Sequence, residues 1–344
     1  MEELITHWVE GLPLVVLFII IALTMATLSK GADLLVDEAV ALSRRAGISK
    51  LLIGATIVSL GTTLPEASVS VMSALAGDPE LSLGNAVGSI ICDTGLILGL
   101  AALIGRIPLD PAIVKRQGWI QFGSGLLLVA ASIPYSRIGT VFTQGGRLPQ
   151  FMGIIFVVLL IIYFLQSVRW AREDRNSTSL SGVKEEAVEK AGSILIILFK
   201  LILGITLVIL SSKVLIPTVQ ETALRLRVPR GIIAATLVAF GTSLPELITA
   251  LTAVRKGHGE IALGNIIGAD ILNVLFVSGL SAAVTPGGLT ASSDFFVILF
   301  PSMMGILIIF RVGIALSKGH LKKPFAGILL GIYLAITILS YGRI

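Results

Sequence analysis

Charge is scarce in this 344-residue sequence: only 14% of its residues are Asp, Glu, Lys or Arg. A soluble domain carries about 25%. That shortage excludes a water-exposed globule, since there is too little polar surface to cover one. Cysteine is limited to Cys92, which excludes an internal disulfide. Histidine is limited to His7, His258 and His320, which are far apart and read as loop-borne, so a zinc hydrolase centre has no support. No basic residue precedes the first apolar run, residues 14–28, and no small-residue cleavage site follows it. The run therefore reads as a first span, not a cleavable leader. The apolar runs also contain no Gly-x-Gly-Asp, no His-Glu-x-x-His and no exposed nucleophile, so an intramembrane enzyme is not expected.

What is present is hydrophobic: 55% of residues, with a mean hydropathy of +0.96. The apolar residues fall into runs long enough to cross a bilayer core of roughly 30 Å. The expected spans are 13–33, 51–76, 82–104, 117–134, 150–168, 193–216, 231–254, 260–283, 294–312 and 325–341. Runs this long and continuous favour helices over a barrel. The fold class expected is all-α, a polytopic membrane protein of ten transmembrane helices. The loops on one side hold seventeen Lys and Arg residues, and the side of the termini holds six. The positive-inside rule then puts both termini outside the cytoplasm of a cell-membrane protein. The polar stretch 169–192, with its Ser-rich Asn176-Ser-Thr-Ser-Leu-Ser181, reads as a flexible cytoplasmic linker between residues 1–168 and 193–344.

Those two halves repeat each other. Ile57-Val-Ser-Leu-Gly-Thr-Thr-Leu-Pro-Glu66 matches Leu237-Val-Ala-Phe-Gly-Thr-Ser-Leu-Pro-Glu246. Leu83-Gly-Asn-Ala-Val-Gly88 matches Leu263-Gly-Asn-Ile-Ile-Gly268, at the same offset of 180. Five spans surround each copy. An odd number turns the second copy upside down, the inverted five-helix repeat of secondary transporters, whose sites form near the midplane.

Glu66 and Glu246 lie inside apolar segments, where a carboxylate costs about 2.5–3.5 kcal/mol. Pro65 and Pro245 remove a backbone donor beside each one, so a broken helix is expected, with free carbonyls near Gly61–Thr62 and Gly241–Thr242. Carbonyls, hydroxyls and carboxylates together suit a hard cation such as Ca²⁺, which takes 6–8 oxygens. Gly84-Asn85 and Gly264-Asn265 mark an expected second break. Beyond them, Ser89 and Asp93 share a helix face. Asn273 holds the place of Asp93 in the second copy, and Asp270 reads as a further ligand or as a brace. Asp33, Asp37 and Glu38 read as interfacial.

At these residues the sequence resembles the cation/Ca²⁺ antiporter superfamily, most closely its prokaryotic Na⁺/Ca²⁺ exchangers. The resemblance rests on the paired Gly-Thr-Thr/Ser-Leu-Pro-Glu and Gly-Asn…Gly segments. It implies four ion subsites between spans 2, 3, 7 and 8. Their glutamates would be Glu66 and Glu246, their hydroxyls Thr62, Thr63, Thr242 and Ser243, and their carbonyls Ser59 and Ala239. The later positions fall on Ser89, with Ala269 as its counterpart, and on Asp93 and Asn273. Relatives can carry the amide first and the acid second, an order reversed here. The resemblance implies three Na⁺ exchanged per Ca²⁺ by alternating access, no bound cofactor, and Ca²⁺, Na⁺ and the lipid bilayer as the partners of a monomer. Ca²⁺/H⁺ exchange within the same superfamily is the alternative, and a passive channel is disfavoured by the inverted repeat.

Overall fold

The computed structural model describes residues 2–180, 193–226 and 242–341, and the chain in it is mainly helical. Helix α1 (Glu2–Glu10) precedes the long α2 (Leu14–Ala46). Next come α3 (Lys50–Thr62), α4 (Leu64–Leu75) and α5 (Pro79–Ile104). Helix α6 (Pro111–Ser132) bends sharply into α7 (Tyr135–Gln144). Strand β1 (Gly146–Leu148) then leads to α8 (Gln150–Leu180) and α9 (Ile194–Arg225). The chain closes with α10 (Leu244–Arg255), α11 (Gly259–Val284), β2 (Leu289–Ala291), α12 (Phe295–Leu316) and α13 (Lys323–Tyr341). Strands β1 and β2 pair antiparallel, Gly146 opposite Ala291, and bury Leu148, Leu289 and Ala291 in the main core. Among the described residues six helices are long and apolar enough to cross a membrane, or eight if each bent pair is one span.

Three expectations from the sequence are extended or corrected, the first being a first span that the sequence already allows to run on as a helix beyond Lys30. Helix α2 continues thirteen residues past position 33 to Ala46, because Leu35, Val36, Ala39, Val40 and Leu42 keep burying one face. It stops at Gly47, whose left-handed φ of 65° lets its N–H reach Ser43 O. At about 1.5 Å per residue its 33 residues outrun a bilayer core of roughly 30 Å. Asp33, Asp37 and Glu38 therefore lie on a helix and not at its end. Glu38 is buried and pairs with Lys200 of α9 at 3.2 Å.

Helix α8 also runs through Arg169 to Leu180, so the first part of the expected flexible linker is helical. In sequence Arg169 and Glu173 stand four residues apart, a spacing that supports a helix. Residues 181–192 lie outside the described residues.

The third correction concerns the second break. Helices α5 and α11 pass through Gly84-Asn85 and Gly264-Asn265 without opening. The Asn85 amide donates away from its own helix, to Ser70 Oγ at 2.9 Å and Glu66 O at 3.4 Å. The irregularity sits further along instead, as wide π turns at Cys92–Ile97 and Asn273–Ser278. Such turns concentrate at functional sites.

Helix α11 is the centre of the molecule: 94% of its most apolar window is buried. Helices α3, α5, α6 and α10 surround it. Helices α2 and α9 pack closely on each other around a small cluster of Leu28, Ala32, Val208 and Leu215, while Leu35, Val36, Leu42, Ile197 and Leu201 of the same two helices join the main core. An added Cβ on Gly31 would lie 3.0 Å from Val208 N, which is why the two backbones can touch there. Helix α1, not expected from the sequence, carries His7 and rests on the end of α9. There Arg225 donates to Glu10 O at 2.7 Å and to Leu12 O.

Candidate functional site

The bend between α3 and α4 is 45°, and Thr63 is its hinge. Pro65 cannot donate, so the carbonyl of Gly61 loses its helical partner and the new helix starts with Glu66 in its first turn. In the second copy Ser243 precedes α10 with φ −85° and ψ 10°, close to the −82° and −3° of Thr63. Glu246 sits in the first turn of α10, the match of Glu66 in α4. Each carboxylate is thus placed at a helix start, whose free N–H groups favour negative charge.

Glu66 is 1% exposed and Glu246 0%. Both oxygens of Glu66 and Oε2 of Glu246 are buried with no hydrogen-bond partner. Thr63 Oγ1 donates to Glu246 Oε1 across the two copies at 3.4 Å. The hydroxyls of Thr62 and Thr63 face Glu246, and those of Thr242 and Ser243 face Glu66. Two further bonds cross between the copies. Thr62 Oγ1 donates to Asn265 Oδ1 at 3.2 Å, and Thr242 Oγ1 donates to Asn85 Oδ1 at 3.3 Å. Thr62 and Thr242 differ by 180 in number, as do Asn85 and Asn265, so the same bond is made twice.

Asp93 is the second residue of the first π turn and Asn273 opens the second, each 1% exposed, with Asp93 Oδ1 and Asn273 Oδ1 unpartnered. Asp93 lies within electrostatic reach of Glu66, Glu246 and Asp270. Ser89 is buried one turn before Asp93. Ser59 is fully buried, and its carbonyl accepts the Thr63 N–H at 2.9 Å and the Thr62 hydroxyl at 3.4 Å. Ala239 lies outside the described residues. No three acidic, His or Cys side chains among the described residues converge tightly enough to grip one metal ion alone. Any cation held here would draw on hydroxyls and carbonyls as well.

Asp270 is tied differently. Its Oδ2 accepts from Thr94 Oγ1 and Gln121 Nε2, both at 2.5 Å, which joins α11 to α5 and α6. Neighbouring Gln117 places its side-chain amide 3.2 Å from Tyr163 OH, and that phenol donates to Ala55 O at 3.1 Å. None of Thr94, Gln117, Gln121 and Tyr163 was singled out from the sequence. The available signal was two glutamines four residues apart in an otherwise apolar span. Gln121→Leu is expected to lower stability by about 1–3 kcal/mol, because a buried carboxylate oxygen loses one of its two donors. Thermal unfolding in detergent measures this.

A cavity of about 300 Å³ meets the site between α9, α4, α5 and the start of α10. Asn85, Thr242, Pro65 and Pro245 line it from the repeats, and Ser212 and Lys213 line it from α9.

The sodium/calcium exchanger protein family matches residues 16–168 and 196–342. The inner membrane protein YrbG of Escherichia coli is 35% identical over 303 residues, covering 84% of this chain and 90% of the relative. The sodium/calcium exchanger MaX1 of Methanosarcina acetivorans is 31% identical over 335 residues, covering 91% and 95%. The solved structure of the sodium-calcium exchanger NCX_Mj superposes with a TM-score of 0.75 at 25% identity, covering 95% of this chain and 99% of that one. The two matched segments enclose both copies of the repeat, and on that match the chain belongs to the sodium/calcium exchanger family of membrane transport proteins.

Proposed function

We propose that the chain is a secondary active antiporter that exchanges Na⁺ for Ca²⁺ at a mid-membrane site between two inverted five-helix repeats. The observation that carries this is the doubled cross-bond of Thr62 with Asn265 and Thr242 with Asn85. It sets the two broken helices against each other and turns Glu66 and Glu246 inward. Ten spans follow if α3 with α4 is one span and α10 is the second half of another. Residues 1–168 and 193–344 are then the two repeats. The basic loops lie in the cytoplasm and both termini outside.

Glu66, Glu246 and Asp93 supply negative charge. Thr62, Thr63, Thr242, Ser243, Ser89 and Asn273 supply neutral oxygens, and Ser59 and Ala239 supply carbonyls. Asp270 serves as a brace, since one of its oxygens is already taken by Thr94 and Gln121. Three acids facing one another with no cation repel strongly in a low-dielectric interior. A carrier in that state resists reorientation. Na⁺ or Ca²⁺ neutralises the site and lets it move, which makes exchange obligatory. Three Na⁺ per Ca²⁺ would carry one net charge per cycle, worth about 2.3 kcal/mol per 100 mV. No covalent chemistry and no resident cofactor are needed.

The moving part is the α2–α9 pair. The cluster of Leu28, Ala32, Val208 and Leu215 that the two helices share supports motion of the pair as one body. On one face Lys256, just after α10, grips that body: its Nζ lies 3.1 Å from Asp33 Oδ1 and 2.8 Å from Asp37 Oδ2. Burial alone would lower the Lys256 pKa, but hydrogen bonds to Asp37 and Asp33 outweigh it and raise it, so the latch stays charged. On the other side of the site lies the cavity lined by Lys213. Lys256→Gln is expected to shift the resting population toward the form open at the latch. Accessibility of a cysteine placed at Leu34, which leaves both latch carboxylates intact, to a membrane-impermeant thiol reagent reads that shift.

The test of function is ⁴⁵Ca²⁺ uptake into Na⁺-loaded proteoliposomes. Uptake driven by the outward Na⁺ gradient is expected. Uptake driven equally by a pH gradient in Na⁺-free buffer would replace this reading with Ca²⁺/H⁺ exchange.

A further inference from the structure

We infer that Lys213 of α9 sets the ion preference of the outer entry path, disfavouring Ca²⁺ more than Na⁺ as each approaches the site; the inference rests on the exchanger reading above. The path is the cavity of about 300 Å³. Thr6 of α1 and Leu81, in the first turn of α5, line it towards the termini, which lie outside in the proposed orientation. Pro65, Asn85, Thr242 and Pro245 of the two motifs line its inner end.

Helix α9 supplies one wall. Ile209, Ser212, Lys213, Ile216, Pro217 and Gln220 line the cavity at helical spacing, so they share a face. Lys213 stands in the middle of that stripe and is half-buried. It is the one charged residue among the described residues that line the cavity, and no acid lies beside it there. Lys200, earlier on the same helix, is paired with Glu38 at 3.2 Å. Lys213 has no such partner among the described residues. An unpaired ammonium on the wall of a cation path serves no packing purpose that the cavity shows.

Its effect follows from charge. A cleft lined by one sign of charge repels ions of that sign and lowers their local concentration. A sphere of the cavity's volume is about 8 Å across, so an entering ion comes within about that distance of the ammonium. In water-like surroundings the repulsion there lowers the presence of a monovalent ion roughly 2.4-fold, and that of a divalent ion by the square, roughly six-fold. The acids of the site attract both ions. Lys213 changes which of them arrives.

The first test measures Na⁺-driven ⁴⁵Ca²⁺ uptake in right-side-out membrane vesicles carrying the full chain. Lys213→Gln should lower the Ca²⁺ KM roughly six-fold at unchanged kcat, and the external Na⁺ concentration that half-inhibits uptake roughly 2.4-fold. Lys213→Arg should behave as wild type, and inverted vesicles, which present the Lys256 face, should show no change. The second test does not need transport. A cysteine replaces Gln220, about 10 Å along α9 from Lys213 towards the mouth. The ratio of its modification rates by a singly anionic and a singly cationic thiol reagent should fall about four-fold on adding Lys213→Gln. An unchanged ratio would mean that the ammonium reaches out to lipid headgroups, and would overturn the inference. So would an equal change of both ions' constants, the mark of a merely structural role. A changed ratio without Na⁺-driven uptake by wild type would remove the exchanger reading instead, leaving the cavity's positive charge established.

Discussion

Na⁺-driven ⁴⁵Ca²⁺ uptake falls by at least roughly 100-fold when Glu66 or Glu246 is replaced by Gln, because each variant removes one charge from a divalent ion. Two unit charges 4 Å apart interact by about 4 kcal/mol at an effective dielectric near 20, and the ion carries two charges. The Gln side chain keeps the volume and can still face the Thr62–Thr63 or Thr242–Ser243 hydroxyls. Folding should survive, and thermal stability should hold or rise, since the substitution relieves repulsion among Glu66, Asp93 and Glu246. Loss of uptake with an unchanged melting temperature separates a transport defect from misfolding. Asp93→Asn should cost less, because both motif glutamates remain.

The second large effect is structural. Gly268→Leu should leave little folded protein, measured as the monodisperse fraction in detergent. An added Cβ at Gly268 would press on the carbonyl of Ala55, 2.6 Å from its Cα, and on Ser59 Oγ at 2.5 Å. Overpacking a core costs about 1–3 kcal/mol when side chains can give way. Here part of the obstacle is the backbone of α3, which carries the first motif and cannot retreat without moving Thr62 from Asn265. Gly305→Ala is the control, since an added Cβ there meets no described atom within 4 Å. It should fold normally.

Much of this was legible because two physical signals are local. A proline before a glutamate inside an apolar run predicts both a bend and a buried acid, and α3 bends at Thr63 with Glu66 beside it. A constant offset of 180 predicts equivalent environments, and Thr62 and Thr242 make equivalent bonds. Where the reading failed, the deciding partner was distant in sequence. Gly-Asn was read as a helix break, but Asn85 is satisfied by Ser70 and Glu66 O, so α5 stays closed. The π turns at Cys92–Ile97 and Asn273–Ser278 have no composition of their own. The Asp270–Thr94–Gln121 bridge joins three helices and was visible only as two glutamines in an apolar stretch. The continuation of α8 to Leu180 lost out to a Ser-rich composition that suggested coil.

The shared-site claim is tested most directly by equilibrium ⁴⁵Ca²⁺ binding to purified wild type, Glu66→Gln, Glu246→Gln and the double variant, with Na⁺ as competitor. If one ion is held by both glutamates, either substitution alone abolishes Na⁺-displaceable binding and the double variant loses nothing more. If each single variant keeps half of the bound Ca²⁺ and only the double variant loses all of it, the glutamates serve separate sites and the proposed mechanism fails.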